Sequence, residues 1–519
     1  MYRNTAKAIL FPLFLGLVLA MGILVGRFTA GGAILLSGSD YSFGRKMEDL
    51  RRFLTQNYVD SLESEDLENL SITSLLEHLD PHSTYIAPSD FQSAYEDLHG
   101  AFDGIGIEFN LAEDTIVVVS VVAGGPSEIS GIRPGDRIVR VNDSLVAGTG
   151  ITSEQVIRLL RGPRGTTVRL QMIRHGVAPF SVDIRRAKIP VNSVEAAFTY
   201  QDVGYIRLAR FSDNTFEEFR RAYLKLDSAG MRKLILDLRN NPGGLLDQAV
   251  ALSDFFLPKG SRIVSTRGAH RPQVVYNSRS AYGYHDLPLV VFIDRGSASA
   301  SEIVAGAFQD NDRALIIGEN SFGKGLVQEQ VDFPDGSALR LTVARYYTPS
   351  GRCIQRKYEG EDPANYYLRH FTQAYDSVAD SSSLKKFYTK NGRPVYESGG
   401  IQPDVVIRVS PEEDPLALPP SLLNAAGEFA FSKADKMRIS WKLNFKSYRD
   451  FLNQRTLADQ LLHEFLELQG SKKEPGTLHT RLQRLLMALS ARHLWGADAY
   501  HYALLRFDPY FKAALQHFK

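Results

Sequence analysis

The sequence predicts a multidomain α/β protein. In order along the chain it predicts an apolar N-terminal segment, a helical stretch, a β-rich module, a layered α/β core and a helical C-terminal extension. Three observations carry this reading. Apolar residues recur at three- and four-residue steps over 43–80 and again beyond 411, the period of amphipathic helices. Between about 100 and 187, β-branched runs are punctuated by Gly-Pro, Pro-Gly and Arg-Gly steps, the pattern of short strands joined by turns. From about 190 to 408, strand and helix patterns alternate, as expected of helices layered on a sheet.

Each segment has its own warrant. Arg3 and Lys7 precede an apolar run over 8–26, which Arg27 closes. That run lies at the lower end of the length needed to span a bilayer. Residues 1–30 therefore read as an uncleaved signal anchor, with a cleaved signal peptide as the rival because residues 29–32 are small. In 43–98, Met47, Leu50, Phe53, Leu54 and Tyr58 mark one helix, and a second segment over 70–79 runs into an Asp80-Pro81 turn. In 99–188, strands are expected over 116–122, 136–142 and 168–173, with a helix over 153–160 capped by Thr152 or Ser153. In 189–410, strands at 203–209, 234–238, 289–293 and 314–317 alternate with helices at 216–229, 245–256 and 299–309. A polar stretch over 365–390 reads as an inserted loop or helix pair. Prolines 411, 415, 419 and 420 form a linker to the helical segment 411–519, where Leu457, Leu461, Leu462 and Phe465 share a face.

Composition excludes several classes. Hydrophobic residues make up 44% and charged residues 23%, and the formal net charge is +1, which gives no footprint for nucleic acid. Cys353 is the single cysteine, so there is no disulfide framework. The twelve histidines show no HExxH-type spacing, so no catalytic metal or other cofactor is expected.

The chemistry concentrates in two glycine-marked stretches, Gly296-Ser297-Ala298-Ser299-Ala300-Ser301-Glu302 and Ser321-Phe322-Gly323-Lys324-Gly325. A serine hydroxyl is a poor nucleophile until a base takes its proton, and a lysine whose pKa is lowered by burial can be that base. Ser299 falls where a strand gives way to a helix. There the helix dipole and free amides favour developing negative charge, and the Ala300 N–H is a natural oxyanion donor. The turn Asn241-Pro242-Gly243-Gly244 follows an apolar strand, and its two glycines leave amides unshielded, so that one can face a carbonyl oxygen. Gln328 lies four residues after Lys324 and shares a face with it in either a helix or a strand, so it can orient the amine. Gly104-Ile105-Gly106-Ile107 enters a strand and can offer amides to a C-terminal carboxylate while the strand edge accepts a peptide.

With these residues in hand, the chain resembles the carboxy-terminal processing proteases, serine peptidases of family S41 with a Ser/Lys dyad. The resemblance rests on residues 297–302, on Gly318-Glu319, and on Phe322-Gly323-Lys324-Gly325 with Val327-Gln328. It extends to Leu79-Asp80-Pro81-His82-Ser83, Asp237-Leu238-Arg239, Pro242-Gly243-Gly244, residues 346–352 and Gly400-Ile401 with Pro403-Asp404-Val405. The β-rich module is similar to a PDZ domain, with Gly131-Ile132-Arg133-Pro134-Gly135-Asp136 and Leu159-Leu160-Arg161-Gly162 in place. The match runs over about 45–408. It implies a PDZ-like domain inserted before a crotonase-like layered protease core. Ser299 would be the nucleophile, Lys324 the general base and Gln328 its orienting partner. Ala300 and either Gly243 or Gly244 would be the oxyanion donors. Substrates would be proteins with accessible C-termini, apolar tails among them, read by the PDZ-like module at Gly104–Ile107. The family works outside the bacterial cytoplasmic membrane, which implies an anchored protease on the periplasmic face. The resemblance is silent on 411–519, which packs on the core, forms a homo-oligomer contact or docks an adaptor. Two other functions share parts of this pattern, an inactive scaffold that holds C-terminal tails and an acyl-CoA enzyme with a glycine-amide oxyanion hole. Intact Ser299, Lys324 and Gln328 disfavour the scaffold, and the Ser/Lys pair with the inserted module disfavours the acyl-CoA enzyme.

Overall fold

The computed structural model describes residues 42–279, 284–358, 363–372, 384–410, 414, 416–470 and 476–518. Two compact units divide the chain, residues 1–75 and 76–519. In the first, the helix Phe43–Asn57 opens at Ser42, whose hydroxyl accepts from Arg45 N. Among the described residues no helix is long and apolar enough to cross a membrane. The anchor expected over 1–30 lies outside the described residues.

In the second unit, a helix the sequence reading passed over, Pro88–His99, carries its signals at its ends. Pro88 stands in the first turn, and Gly100 closes the helix at φ +62° with its N–H on Glu96 O. Strand Ala101–Gly104 then pairs antiparallel with Ala187–Pro190, so chain entry to and exit from the β-rich module form one two-stranded stem. Within the module the strands Ile107–Ala112, Thr115–Val121, Arg137–Val141, Thr167–Arg174 and Val177–Arg185 follow one another in the sheet. Val177–Arg185 was not among the expected strands; it contains Pro179 and sits at the sheet edge, where a missing N–H is tolerated. The helix Ser153–Leu160 forms as expected, with Thr152 and Gln155 making a reciprocal capping box. Val156 and Leu160 pack it onto Ile116, Val118, Ile138 and Val168.

The core is built on a six-stranded sheet in the order Val194–Tyr200, Val203–Leu208, Lys233–Asp237, Leu289–Ile293, Leu315–Gly318 and Val405–Val406. The first pair is antiparallel and the rest run parallel. Apolar strands such as Leu289–Ile293, buried at every position, require cover on both faces. The helices Thr215–Ser228, Leu246–Phe256 and Ala300–Asp310 pack on one face through Phe219, Tyr223, Phe256, Val304 and Phe308. The C-terminal extension covers the other: Leu505, Tyr510, Phe511 and Ala514 close over Phe198, Tyr205, Ile235, Val290, Phe292 and Ile317. An antiparallel sheet flanks this core. It contains Thr84–Ile86 from before the module together with Arg262–Arg267, Val274–Asn277, Leu326–Asp332 and Ala338–Tyr347. The module is thus inserted into the core.

The remaining C-terminal helices, led by Pro420–Asn444 and Gly476–Trp495, form their own apolar clusters around Trp441, Phe451 and Phe465. Phe431 also packs on Val117 and Val119 of the module, and Asp435 receives Arg137 at 2.7 Å. In the stretch expected as an inserted loop or helix pair, Pro363–Thr372 is helical, Lys386–Tyr388 is a strand, and residues 373–383 lie outside the described ones.

Phe511 is 2% exposed. Phe511→Ala should destabilise the protein by about 3–5 kcal/mol through the lost burial and the cavity left behind. Urea denaturation of parent and variant checks this.

Candidate active site

The helix of the nucleophile region begins at Ala300, one residue later than expected. Ser299 is its N-cap, at φ +55°, ψ −112°. A left-handed φ at a serine is costly, on the order of 1–3 kcal/mol, and persists only where the surroundings fix it. Several contacts do so here. Ser297 Oγ donates to Leu238 O at 2.8 Å, and Ser301 Oγ donates to Asn241 O at 3.0 Å, so these two buried serines hold the loop onto the neighbouring turn. Ala298 N donates to Asn241 O at 3.0 Å. Gly243 presses against the corner: a Cβ there would stand 2.7 Å from Ser299 Cβ and 2.8 Å from Ala300 N. The three serines therefore have different work, and Ser299 is the one that lines the cavity.

Glu302 was not singled out in the sequence. Its fully buried carboxylate accepts Ser299 N at 2.8 Å and Lys324 N at 2.9 Å on one oxygen, and Ser321 Oγ at 2.6 Å and Gly323 N at 2.7 Å on the other. Burial pushes this carboxyl up, and the four donors hold the rise back. Tyr346 hydroxyl lies between the carbonyls of Ser299, at 3.1 Å, and Lys324, with one proton to give.

Lys324 is partly buried, and burial is the main cause of its lowered pKa; Arg340 adds to the effect, while Asp80 and Glu302 oppose it. Its amine donates to Gln328 Oε1 at 2.8 Å, and Gln328 Nε2 donates to His82 O at 2.6 Å. The Lys324–Gln328 contact expected from spacing is present, but not through regular strand alternation. Lys324 precedes the strand Leu326–Asp332, and a register shift falls between Val327 and Gln328. The amine makes no hydrogen bond to Ser299 Oγ among the described residues.

The support for Gln328 comes from far away in sequence. Asp80 Oδ1 accepts the amides of His82 and Ser83 at 2.9 Å each and Thr342 Oγ1 at 3.1 Å, while its Oδ2 accepts Ser83 Oγ at 2.6 Å. This tight turn presents His82 O to Gln328. The His82 ring is enclosed by Tyr366, Tyr367 and Phe322; burial first, then Lys324, lowers its pKa to about 4, so it is neutral at pH 7.

On the facing turn, Gly243 N donates to Asn241 Oδ1 at 2.9 Å, whereas Gly244 N has no partner among the described residues. A Cβ on Gly244 would meet Phe211 O at 1.9 Å, so only glycine fits. The turn is rooted by Arg239, whose guanidinium binds Asp237 at 2.6 Å and Asp508 of the C-terminal layer at 2.7 Å. Burial alone would raise the Asp237 carboxyl, but Arg239 and Arg207 hold it well below the usual carboxylate range.

Ser299, Lys324, Gln328, Gly243, Gly244 and Tyr346 line one cavity of about 790 Å³, with Ala94, Asp97 and Leu98 of the helix Pro88–His99 on its wall. Gly104, Ile105, Gly106 and Ile107 do not line it. Ile105 is buried in the module, its carbonyl accepting Ser127 N and Oγ, and Ile107 begins the strand at the module's other sheet edge. Among the described residues no group of three or more His, Cys, Asp or Glu converges as a metal site.

Residues 202–363 match the family model for peptidase family S41, and residues 104–184 match that for a PDZ domain. A carboxy-terminal-processing protease of Bartonella bacilliformis is 39% identical over 313 residues, which cover 59% of this chain and 71% of the relative. This chain belongs to peptidase family S41. A probable CtpA-like serine protease of Staphylococcus aureus is 36% identical over 324 residues, 62% of this chain and 64% of that relative's length. Among solved structures, a photosystem II D1 C-terminal processing protease is 28% identical with a TM-score of 0.35, covering 70% of this chain and 92% of its own. As an S41 member, the chain is a PDZ-containing α/β protein with a helical C-terminal region that lies beyond both matched segments.

Removing the Glu302 carboxylate strands four donors at once. Glu302→Ala should cost about 2–5 kcal/mol, read as a lowered urea midpoint, with Ser321→Ala costing far less.

Proposed function

We propose that this chain is a membrane-anchored serine endopeptidase that engages substrate C-termini through its PDZ domain and cleaves by a Ser299/Lys324 acyl-enzyme mechanism. The observation that carries this is a lysine with a burial-lowered pKa, positioned by Gln328, in the same cavity as a serine held in a left-handed corner at a helix N-terminus. The neutral Lys324 amine takes the proton from Ser299 Oγ as Oγ bonds to the scissile carbonyl carbon. The resulting oxyanion lies between Ala300 N–H and a glycine amide of the facing turn; Gly244 is the one not already engaged. The lysine ammonium returns the proton to the leaving nitrogen as the C–N bond breaks. Water then attacks the ester, giving a proton to Lys324, which passes it to Ser299 Oγ. In this geometry the amine rests on Gln328, and substrate binding must bring it within reach of Ser299, as apo sites commonly require.

Substrate tails would add to the free edge of Ile107–Ala112, with the Gly104–Ile107 loop at the carboxylate. The apolar run over 8–26, flanked by Arg3, Lys7 and Arg27, would hold the enzyme on the periplasmic face of a bacterial inner membrane.

The test uses an unfolded reporter with an apolar C-terminal tail. Ser299→Ala and Lys324→Ala should each lower kcat about a thousandfold or more, while both proteins remain folded by circular dichroism. Cleavage that survives either substitution would overturn the dyad. Binding of the tail without cleavage by the parent would point to a scaffold.

The pH dependence has a definite sign. Lys324 acts as the neutral amine, so kcat/KM should rise with pH, with the midpoint of the rise below the ordinary lysine value of about 10.4. Gln328→Ala should move that limb and lower kcat more than it changes KM. A chelator should leave the rate unchanged.

A further inference from the structure

The antiparallel sheet beside the core has a second face, turned away from the Ser299 cavity. Tyr346 points into the catalytic cavity, so its strand neighbours Arg345 and Tyr347 face the other way. There they line a separate groove of about 420 Å³. The register makes this groove unusual. Arg345 stands directly opposite Arg267, and Tyr347 directly opposite Ser265. Two like charges facing each other across an antiparallel pair are destabilising. Arg262 on the same strand as Arg267, and Arg356, Lys357 and Lys385 from elsewhere, join the lining, with Glu397 as the one carboxylate among the described residues. Among the described residues the groove thus gathers six cations against one carboxylate, in a chain whose net charge is only +1. None of the six forms an ion pair with a carboxylate among the described residues.

Some of this lining is held in place. Arg267 lies over the Tyr347 ring at 5.1 Å. Arg356 is clasped between Tyr366 at 4.1 Å and Phe322 at 4.8 Å, and donates to Tyr366 O at 3.0 Å. Its Nε is buried with no hydrogen-bond partner among the described residues. The hydrogen bonds of Arg267, Arg345 and Arg356 go to tyrosine hydroxyls and a carbonyl rather than to a carboxylate, and their planar forks match the oxygens of phosphate groups.

We infer that this groove is a binding site for a phosphate-type oxyanion carrying two or more charges, supplied as a soluble phosphate compound or as a phospholipid headgroup. The site is separate from the catalytic cavity, and the inference does not rest on the proteolytic reading. The groove also adjoins the lysine loop: Arg356 N donates to Gly323 O at 2.9 Å, and Gln355 Oε1 accepts Gly325 N at 2.8 Å.

The test titrates the full chain with inorganic pyrophosphate by calorimetry and by thermal midpoint, at an ionic strength held constant with sodium chloride. The parent should bind saturably and shift upward in midpoint. Arg267→Gln/Arg345→Gln should weaken binding at least tenfold, while its midpoint in chloride equals or exceeds the parent's because the opposed charges are gone. Lys357→Gln/Lys385→Gln, at two exposed positions, should also weaken binding and serves if the arginine pair fails to fold. In parallel, cosedimentation compares phosphatidylglycerol with phosphatidylcholine vesicles. A preference for the anionic vesicles that both variants lose assigns the headgroup as the source; pyrophosphate binding without that preference assigns a soluble phosphate. Either result supports the site. Absence of both in the parent, or equal affinity in parent and variants, overturns it.

Discussion

One buried carboxylate decides whether Ser299 and Lys324 belong to one site. Ser299 and Lys324 lie on different loops, and a serine corner at positive φ has its own tendency to relax. Glu302 bonds the amide of each, together with Ser321 and Gly323 between them. An ionised acid at that depth is expensive, and only a full set of donors makes it tolerable. Three of those donors are backbone amides of the two loops and the fourth is the Ser321 hydroxyl, so the solvation of Glu302 and the shape of the site are one problem with one solution. Tyr346 adds a second tie through the carbonyls of the same two residues.

Around this centre the chain recruits distant parts. Gln328 is steered by the Asp80 turn, which precedes the PDZ domain in sequence, and the turn carrying Gly243 and Gly244 is rooted through Arg239 in Asp508, near the other end of the chain. The C-terminal helices thus form the second layer of the core sheet. The apolar strands they cover, Leu289–Ile293 above all, have no polar face to give to water.

How much of this the sequence displayed depends on the range of each interaction. Ser299, Lys324 and the Gly243-Gly244 turn were legible because glycines and small residues mark places where backbone must come close, and that requirement is local. Gln328 was legible from spacing, although a strand irregularity rather than regular alternation delivers it. Glu302 and Asp80 were not legible as site residues. A charged side chain looks the same in sequence whether it is solvated or buried, and Asp80 reaches Thr342, a partner 262 positions away. The extension 411–519 was readable as amphipathic helix, since periodicity announces a buried face but not what lies against it. The helix Pro88–His99 had its proline and glycine in plain view, and Val177–Arg185 was masked by a proline that an edge strand tolerates.

The paired stem at the base of the PDZ domain has a consequence for the history and handling of such chains. Gly104 and Ala187 are cross-strand partners, so the module leaves the core at nearly the point where it enters. Cross-strand neighbours stand only about 5 Å apart, a gap that one or two residues close. Everything between them can be exchanged for another folded unit with adjacent ends, or shortened to a tight turn, without changing the path of the chain through the core. The PDZ domain and the S41 core are in this sense modular goods, joined by a fitting that accepts either as a replaceable part.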